Sequence, residues 1–300
     1  MRMNLRVSGH STALYSTCWA IEPIGLLFDC GDGAAATLQQ KGLKIKTIAC
    51  SHADRDHLSG LFQFLPLNST SNRPLVLYPK DSGSFPAIKK FTDQFDPHVA
   101  GNTKWQGIEN GHVQQLKPNT FLEAYPNRHI PRSETSQGQH KSLSYSVYCD
   151  TQKLKSEFSS LSGPEIGRLR KERPVDEIVD IVRSTILTYS ADTPIENAKY
   201  WKNPEVLIHE ATFLNEKDLT SRKQEARHSS VPDVIKMASE MPNLKVLILG
   251  HFSCRYNHEQ IRETIQAEAK RWNIKIPIFA VLPGEFVRDI LSATPVWEPT

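Results

Sequence analysis

An α/β fold is the expectation, and three observations lead to it. Short apolar, β-branched runs alternate with stretches of helical periodicity along the chain. An apolar fraction of 39% over 300 residues is enough to bury a sizeable core without staples. The side chains capable of holding metals cluster directly after the apolar runs, where the carboxyl edges of strands converge in α/β sheets.

Taken in order, the predicted strands are LRV (5–7), STCWAI (16–21) and GLLFD (25–29), the last running into the glycine-flanked turn of FDCGDG. There Gly31 and Gly33 supply a tight turn; GDG alone says little about phosphate. A helix over 34–41 leads to KTIAC (46–50), a second over 58–65 to LVLY (75–78), and a third over 86–95 follows. FLEAYP (121–126), SLSYSVYC (142–149) and TILTYS (185–190) read as strands, and then EVLIHE (205–210), KVLILG (245–250) and IFAVL (278–282). Helices at 231–240 and 258–271 separate these last, and 258–271 has the best periodicity. Two polar stretches, 132–141 and 151–183, interrupt the pattern and read as insertions within one domain spanning 1–300.

Composition excludes several classes. No apolar stretch approaches the roughly 20 residues of a membrane-spanning helix, and MRMNLRVSGH lacks the apolar centre of a secretory signal, so a cytoplasmic protein with no membrane partner is expected. Cys18, Cys30, Cys50, Cys149 and Cys254 are odd in number and never paired as C-x-x-C, which argues against a disulfide framework or a cysteine zinc site. A net charge of +3 is too small to establish a polyanionic partner.

The eleven histidines are the stronger clue. His52, Asp54, Asp56 and His57 lie within six positions after the run at 46–50, and His129, Asp192 and His251 each follow another strand. Two carboxylates this close repel unless a cation offsets them. Taken singly, a histidine such as His129 is more often an ordinary hydrogen-bonded residue. His10, His98, His112, His140 and His258 are read that way, and His209 as structural.

The segment SHADRDHLSG resembles the H-x-H-x-D-H signature of the metallo-β-lactamase superfamily, with Asp54 where the second histidine usually stands. FDCGDG, YSADT (189–193), HEATF (209–213), RHSS (227–230) and LGHFSCRY (249–256) resemble further motifs of that superfamily in the right order. HEATF with HFSCRY is similar to the ribonuclease Z branch, which trims the 3′ end of precursor tRNA. The resemblance implies an αββα sandwich, two facing mixed β-sheets with helices on the outer faces. It also implies two divalent ions, one held by His52, Asp54 and His129, the other by Asp56, His57 and His251, with Asp192 between them. Zinc suits such donors, and a pair of ions can hold a hydroxide for attack on phosphorus. Asp56 is then the base, and His228, oriented by Glu210, the acid for the leaving oxygen. Glu210 equally fits a loop cap, and His228 a helix start.

LSGPEIGRLRKERP (161–174) resembles part of the protruding arm by which ribonuclease Z enzymes grip tRNA, so 151–183 reads as a shortened RNA-binding arm. Arg168, Arg170, Lys171 and Arg173 are its candidate phosphate contacts, although a solvated basic helix explains them too. A homodimer is part of the same expectation. Asp54 departs from the pattern: it adds a negative charge and a harder oxygen donor, tilting metal preference towards manganese or iron. Alternatives are a hydrolase of a lactone, thioester or cyclic nucleotide, or a metal-poor RNA-binding relict; the metal donors alone do not choose between substrates.

Overall fold

A computed structural model describes residues 5–69, 73–130, 140–195, 201, 203–220 and 227–299. Of the predicted polar stretch at 132–141, residues 132–139 lie outside the described residues. The first sheet holds β1 (Arg6–Thr12), β2 (Ser16–Glu22), β3 (Leu26–Phe28), β4 (Thr47–Ala49), β5 (Leu75–Pro79) and β6 (Lys104–Ile108), side by side in that order. The second is built from β7 (Val113–Lys117), β8 (Thr120–Pro126), β9 (Leu143–Leu154), β10 (Val179–Tyr189), β11 (Val206–Glu210), β12 (Val246–Gly250) and β13 (Ile278–Ala280), again in sequential order. Both are mixed: β1 to β3 and β7 to β10 pair antiparallel, whereas β3 to β6 and β10 to β13 run parallel.

The sheets face each other across one core. Trp19, Ile21 and Phe28 from the first sheet meet Tyr145, Leu187, Ile208 and Ile248 from the second, all essentially inaccessible to water. Because the parallel strands are covered on both faces, their sequences are continuous apolar runs, which is why composition alone marks them out. The helices are α1 (Ala34–Leu38), α2 (Arg55–Leu58), α3 (Leu61–Ser69), α4 (Ser84–Phe95), α5 (Gly163–Glu172), α6 (Val175–Ile178), α7 (Glu216–Thr220), α8 (Val231–Ser239) and α9 (His258–Arg271). Leu38, Leu61, Phe64 and Phe85 close the outer face of the first sheet. Val234, Ile235, Ile261 and Ile265 of α8 and α9 close that of the second, completing the αββα sandwich. Ser230 caps α8 and Asn257 caps α9, each side chain accepting from a backbone N–H in the first turn.

Two strands were not expected from the sequence, β6 (KWQGI) and β7 (VQQLK). They sit at the sheet edges and stay largely exposed, so no apolar pattern marks them. The stretch at 151–183 continues the strands on either side of it. β9 and β10 extend beyond the core as one antiparallel pair, in register from Thr151 opposite Val182 to Leu154 opposite Val179. An ion pair between Arg183 and Asp150, at 2.8 Å, braces its base. At its far end α5 starts at Ser162, whose backbone N–H donates to Glu165 at 2.8 Å. Among the described residues no helix is long and apolar enough to cross a membrane, and the five cysteines are free thiols.

Candidate metal centre

The carboxyl ends of β3, β4, β8, β10, β11 and β12 converge on one pocket. Three of them turn sharply as they enter: after β3, β10 and β12, Asp29, Ala191 and His251 take left-handed backbone conformations with φ of 53, 54 and 60°. Such strain persists where surrounding structure over-determines it, as happens in functional sites. The loop carrying Asp54 to His57 is pressed against the turn after β3. A Cβ on Gly31 would lie 2.3 Å from the Asp56 carbonyl oxygen, and one on Gly60 would lie 2.0 Å from the Gly31 carbonyl oxygen. Close approach of two backbones, more than turn geometry alone, therefore explains Gly31.

All seven expected donor residues arrive together. His52, Asp54 and His129 form one group, Asp56, His57 and His251 another, and Asp192 stands with His52 and His57; within each group the donor atoms lie within 4.8 Å of one another. The Asp192 carboxylate is central: its Oδ2 lies 3.2 Å from His251 Nε2, 3.3 Å from His57 Nε2, 3.8 Å from His52 Nε2 and 4.0 Å from His129 Nε2. Asp54 Oδ2 is 3.3 Å from His129 Nε2 and 3.6 Å from His52 Nε2. Asp56 Oδ2 is 3.3 Å from His251 Nε2 and 3.6 Å from His57 Nε2. Ligands about 2.1 Å from a tetrahedral ion are about 3.4 Å apart, so the spacing suits a divalent cation.

The tautomers suit it as well. His57 Nδ1 donates to Asp29 at 2.7 Å, His52 Nδ1 to Ser51 Oγ at 2.9 Å, His129 Nδ1 to the Arg227 carbonyl at 3.2 Å and His251 Nδ1 to Thr212 Oγ1 at 3.0 Å. With Nδ1 so engaged, each imidazole turns its Nε2 towards the pocket, the nitrogen that a metal would take in place of a proton. His52 Nε2 is buried with no hydrogen-bond partner, an arrangement that is costly unless something else binds there. Burial pushes the His52 imidazole down to about 4, with His57 and His129 adding to the effect, which keeps it neutral and available as a donor. Burial also opposes charge on His57, but the Asp192 and Asp29 carboxylates outweigh it and hold that ring well above its ordinary value. Burial likewise opposes charge on Asp192, yet His251 and His57 hold its carboxyl well below the usual range. The pocket draws in positive charge. Its residues fit a divalent metal.

Beside this cluster His228 Nδ1 donates to Glu210 Oε1 at 3.0 Å and stands 4.0 Å from Asp192. Glu210 is gripped by the backbone N–H groups of Ser229, Thr193 and Thr212 and by the Thr212 hydroxyl, at 3.0, 3.2, 3.0 and 2.7 Å. Burial disfavours charge on His228, but Glu210 overrides this and raises it to about 9, so the ring is protonated at neutral pH. His209 points away, its Nδ1 on the Glu210 carbonyl and its ring edge on Trp201. None of His10, His98, His112, His140 or His258 joins a donor group among the described residues. Arg168, Arg170 and Lys171 lie on α5 and Arg173 just past its end, at the far end of the β9–β10 extension.

Sequence reading passed over the supporting residues. Asp29 is wholly buried and accepts from His57, Ser51 and Tyr189, the last at 2.6 Å. Thr212 joins Glu210 to His251. Both sit inside quoted motifs, FDCGDG and HEATF. An aspartate closing an apolar strand, and a hydroxyl two places after a buried glutamate, were the available signals.

No family model matches the chain. Ribonuclease Z of Saccharolobus islandicus is 30% identical over 254 residues, covering 78% of this chain and 81% of that protein. The chloroplastic tRNase Z TRZ2 of Arabidopsis thaliana is 26% identical over 272 residues, covering 86% and 70%. Among solved structures, the short form of human tRNase Z superposes with a TM-score of 0.56 at 20% identity, covering 85% of this chain and 94% of that one. The metallo-β-lactamase fold protein YhfI of Bacillus subtilis gives 0.59 at 15% identity, covering 94% and 99%. With the donors convergent, the sandwich complete and a relative of this identity aligned over most of both chains, the protein belongs to the ribonuclease Z family of metallo-β-lactamase-fold enzymes.

Proposed function

We propose that this protein is a metal-dependent phosphodiesterase that cleaves RNA, with precursor tRNA as its substrate class. The observation that carries the reading is the meeting of His228 and Glu210 with the two donor groups around Asp192. In this reading His52, Asp54 and His129 hold one divalent ion, and Asp56, His57 and His251 hold the other, with Asp192 shared. Zinc is the leading candidate, and the Asp54 oxygen donor tilts that side towards manganese or iron without displacing zinc from first place. Such ions, when bound, supply Lewis acidity towards the phosphate oxygens and lower the pKa of water.

The chain's own residues divide the remaining work. Burial opposes a charge on Asp56, but His251 and His57 keep its carboxyl below the usual range, so it is ionised and able to orient an attacking water and take its proton. His228, protonated and fixed by Glu210, gives a proton to the leaving 3′ oxygen. On the arm, Arg168, Arg170, Lys171 and Arg173 contribute phosphate contacts that steepen the salt dependence of binding. The chain then works as one domain over 1–300 with 151–183 as its RNA-binding arm. Family likeness supports a homodimer, and free thiols accord with a cytoplasmic setting.

The test is turnover of precursor tRNA and of bis(p-nitrophenyl) phosphate by protein loaded in turn with zinc, manganese and iron. Cleavage of both, with His228→Ala losing more on the RNA than on the nitrophenolate diester, is the expected result. Failure to cleave either substrate with any metal would sink the proposal.

A further inference from the structure

The turn between β1 and β2 exposes two large apolar side chains beside the metal centre. Leu14 is 85% exposed and Tyr15 66% exposed, and among the described residues the Tyr15 ring has no aromatic, cationic or hydrogen-bonding partner in the protein. The tip itself is not free. Leu14 N–H donates to Asp56 Oδ2 at 3.0 Å, Ala13 N–H to the Phe252 carbonyl at 3.3 Å, and Gly284 N–H to Thr12 Oγ1 at 3.0 Å. His251 N–H returns to the Ser11 carbonyl at 3.3 Å. The hairpin is thus tied to both loops that carry the Asp56, His57 and His251 group. Leu14 also takes φ of 70°, a conformation costly for a leucine, so the backbone is bent out of its preferred region while its N–H reaches Asp56 and its side chain faces solvent.

An exposed ring on a tethered turn, one residue beyond the N–H that reaches the carboxylate proposed as base, is placed to stack on a base. We propose that the Leu14–Tyr15 tip is the stacking platform for the unpaired nucleobase adjoining the scissile phosphate. The inference rests on the phosphodiesterase reading above and names a specificity element for it. Two side chains are far too small for protein docking, which needs roughly 800 Å² per partner. Stacking on one aromatic face needs no more than a ring, and it tolerates any base because each has a π-face. The platform holds the nucleotide while the neighbouring phosphate lies at Asp56, so it acts on RNA affinity and register more than on bond breaking.

The experiment compares binding of a fluorescein-labelled RNA hexamer with that of the same strand carrying abasic riboses. Metal-loaded protein is used, and anisotropy is read by stopped flow before cleavage. Wild type should bind the strand with bases about tenfold more tightly. Tyr15→Ala should lose most of that preference, whereas Tyr15→Phe and Tyr15→Trp should retain it, which separates ring stacking from any role of the hydroxyl. A Tyr15→Ala protein that keeps the full preference, or a wild type that has none, overturns the platform. Equal weakening towards both strands in Tyr15→Ala also overturns it, since that would mean backbone contact. Wild-type turnover of bis(p-nitrophenyl) phosphate, measured separately, reports the phosphodiesterase reading. Its failure leaves the base preference still decisive for Tyr15.

Discussion

The two donor groups of the candidate metal centre are built to different standards. On one side His57 and His251 are almost wholly buried, and their Nδ1 atoms rest on Asp29 and on the Thr212–Glu210 pair. On the other, His52 reaches Asp29 only through the Ser51 hydroxyl and His129 rests on a backbone carbonyl, while the Asp54 side chain is 55% exposed. A carboxylate behind an imidazole raises its basicity and fixes its ring more firmly than a neutral oxygen does. Exposure, conversely, lets water compete for a ligand. An aspartate in place of the usual histidine therefore alters one half of a shared site, and Asp192 links the tight half to a more open one.

The largest effect is expected at the closed half. His57→Ala removes a central donor and takes the imidazole partner from the buried Asp29 carboxylate, so stability should fall by about 3–5 kcal/mol. At least one metal ion per chain should be lost, together with nearly all diester turnover. Thermal unfolding, elemental analysis and kinetics check this, and unchanged turnover would break the comparison at its root. Next in size, Asp29→Asn keeps the shape but takes the negative charge from behind His57. Metal affinity should weaken about 10- to 100-fold in chelator competition, and Ser51→Ala, behind His52, should weaken it less. Equal losses in the two variants would erase the distinction between the halves. The smallest change is Asp54→His, which restores a nitrogen donor and removes a charge at the open half. Zinc should bind there about tenfold more tightly, with manganese losing ground. A titration showing the same zinc-to-manganese ratio as the wild type would mean that Asp54 does not set metal choice.

Much of this centre was legible from the chain, for identifiable reasons. Apolar runs end at His52, Asp192 and His251 because parallel strands buried on both faces leave a sharp boundary where polar residues begin. Asp29 was less legible: it serves His57, 28 positions away, and its four hydrogen bonds come from three residues in two distant segments. β6 and β7 escaped notice because edge strands bury little. The extension of β9 and β10 escaped it because DTQKL and VDIVR pair with each other outside the core, where no alternation is imposed.

The linear chain carries the chemistry: which donors exist, in what order they follow strands, and that one of them is an aspartate. Periodicity and local spacing hold that information, since both are properties of neighbouring residues. Folding in three dimensions settles the rest: which donor meets which, how Asp29 and Thr212 select the exposed ring nitrogens, and why one half of the site is shut and the other open. Those depend on burial and on contacts between segments as distant as Asp56 and His251, which no single window of sequence encodes.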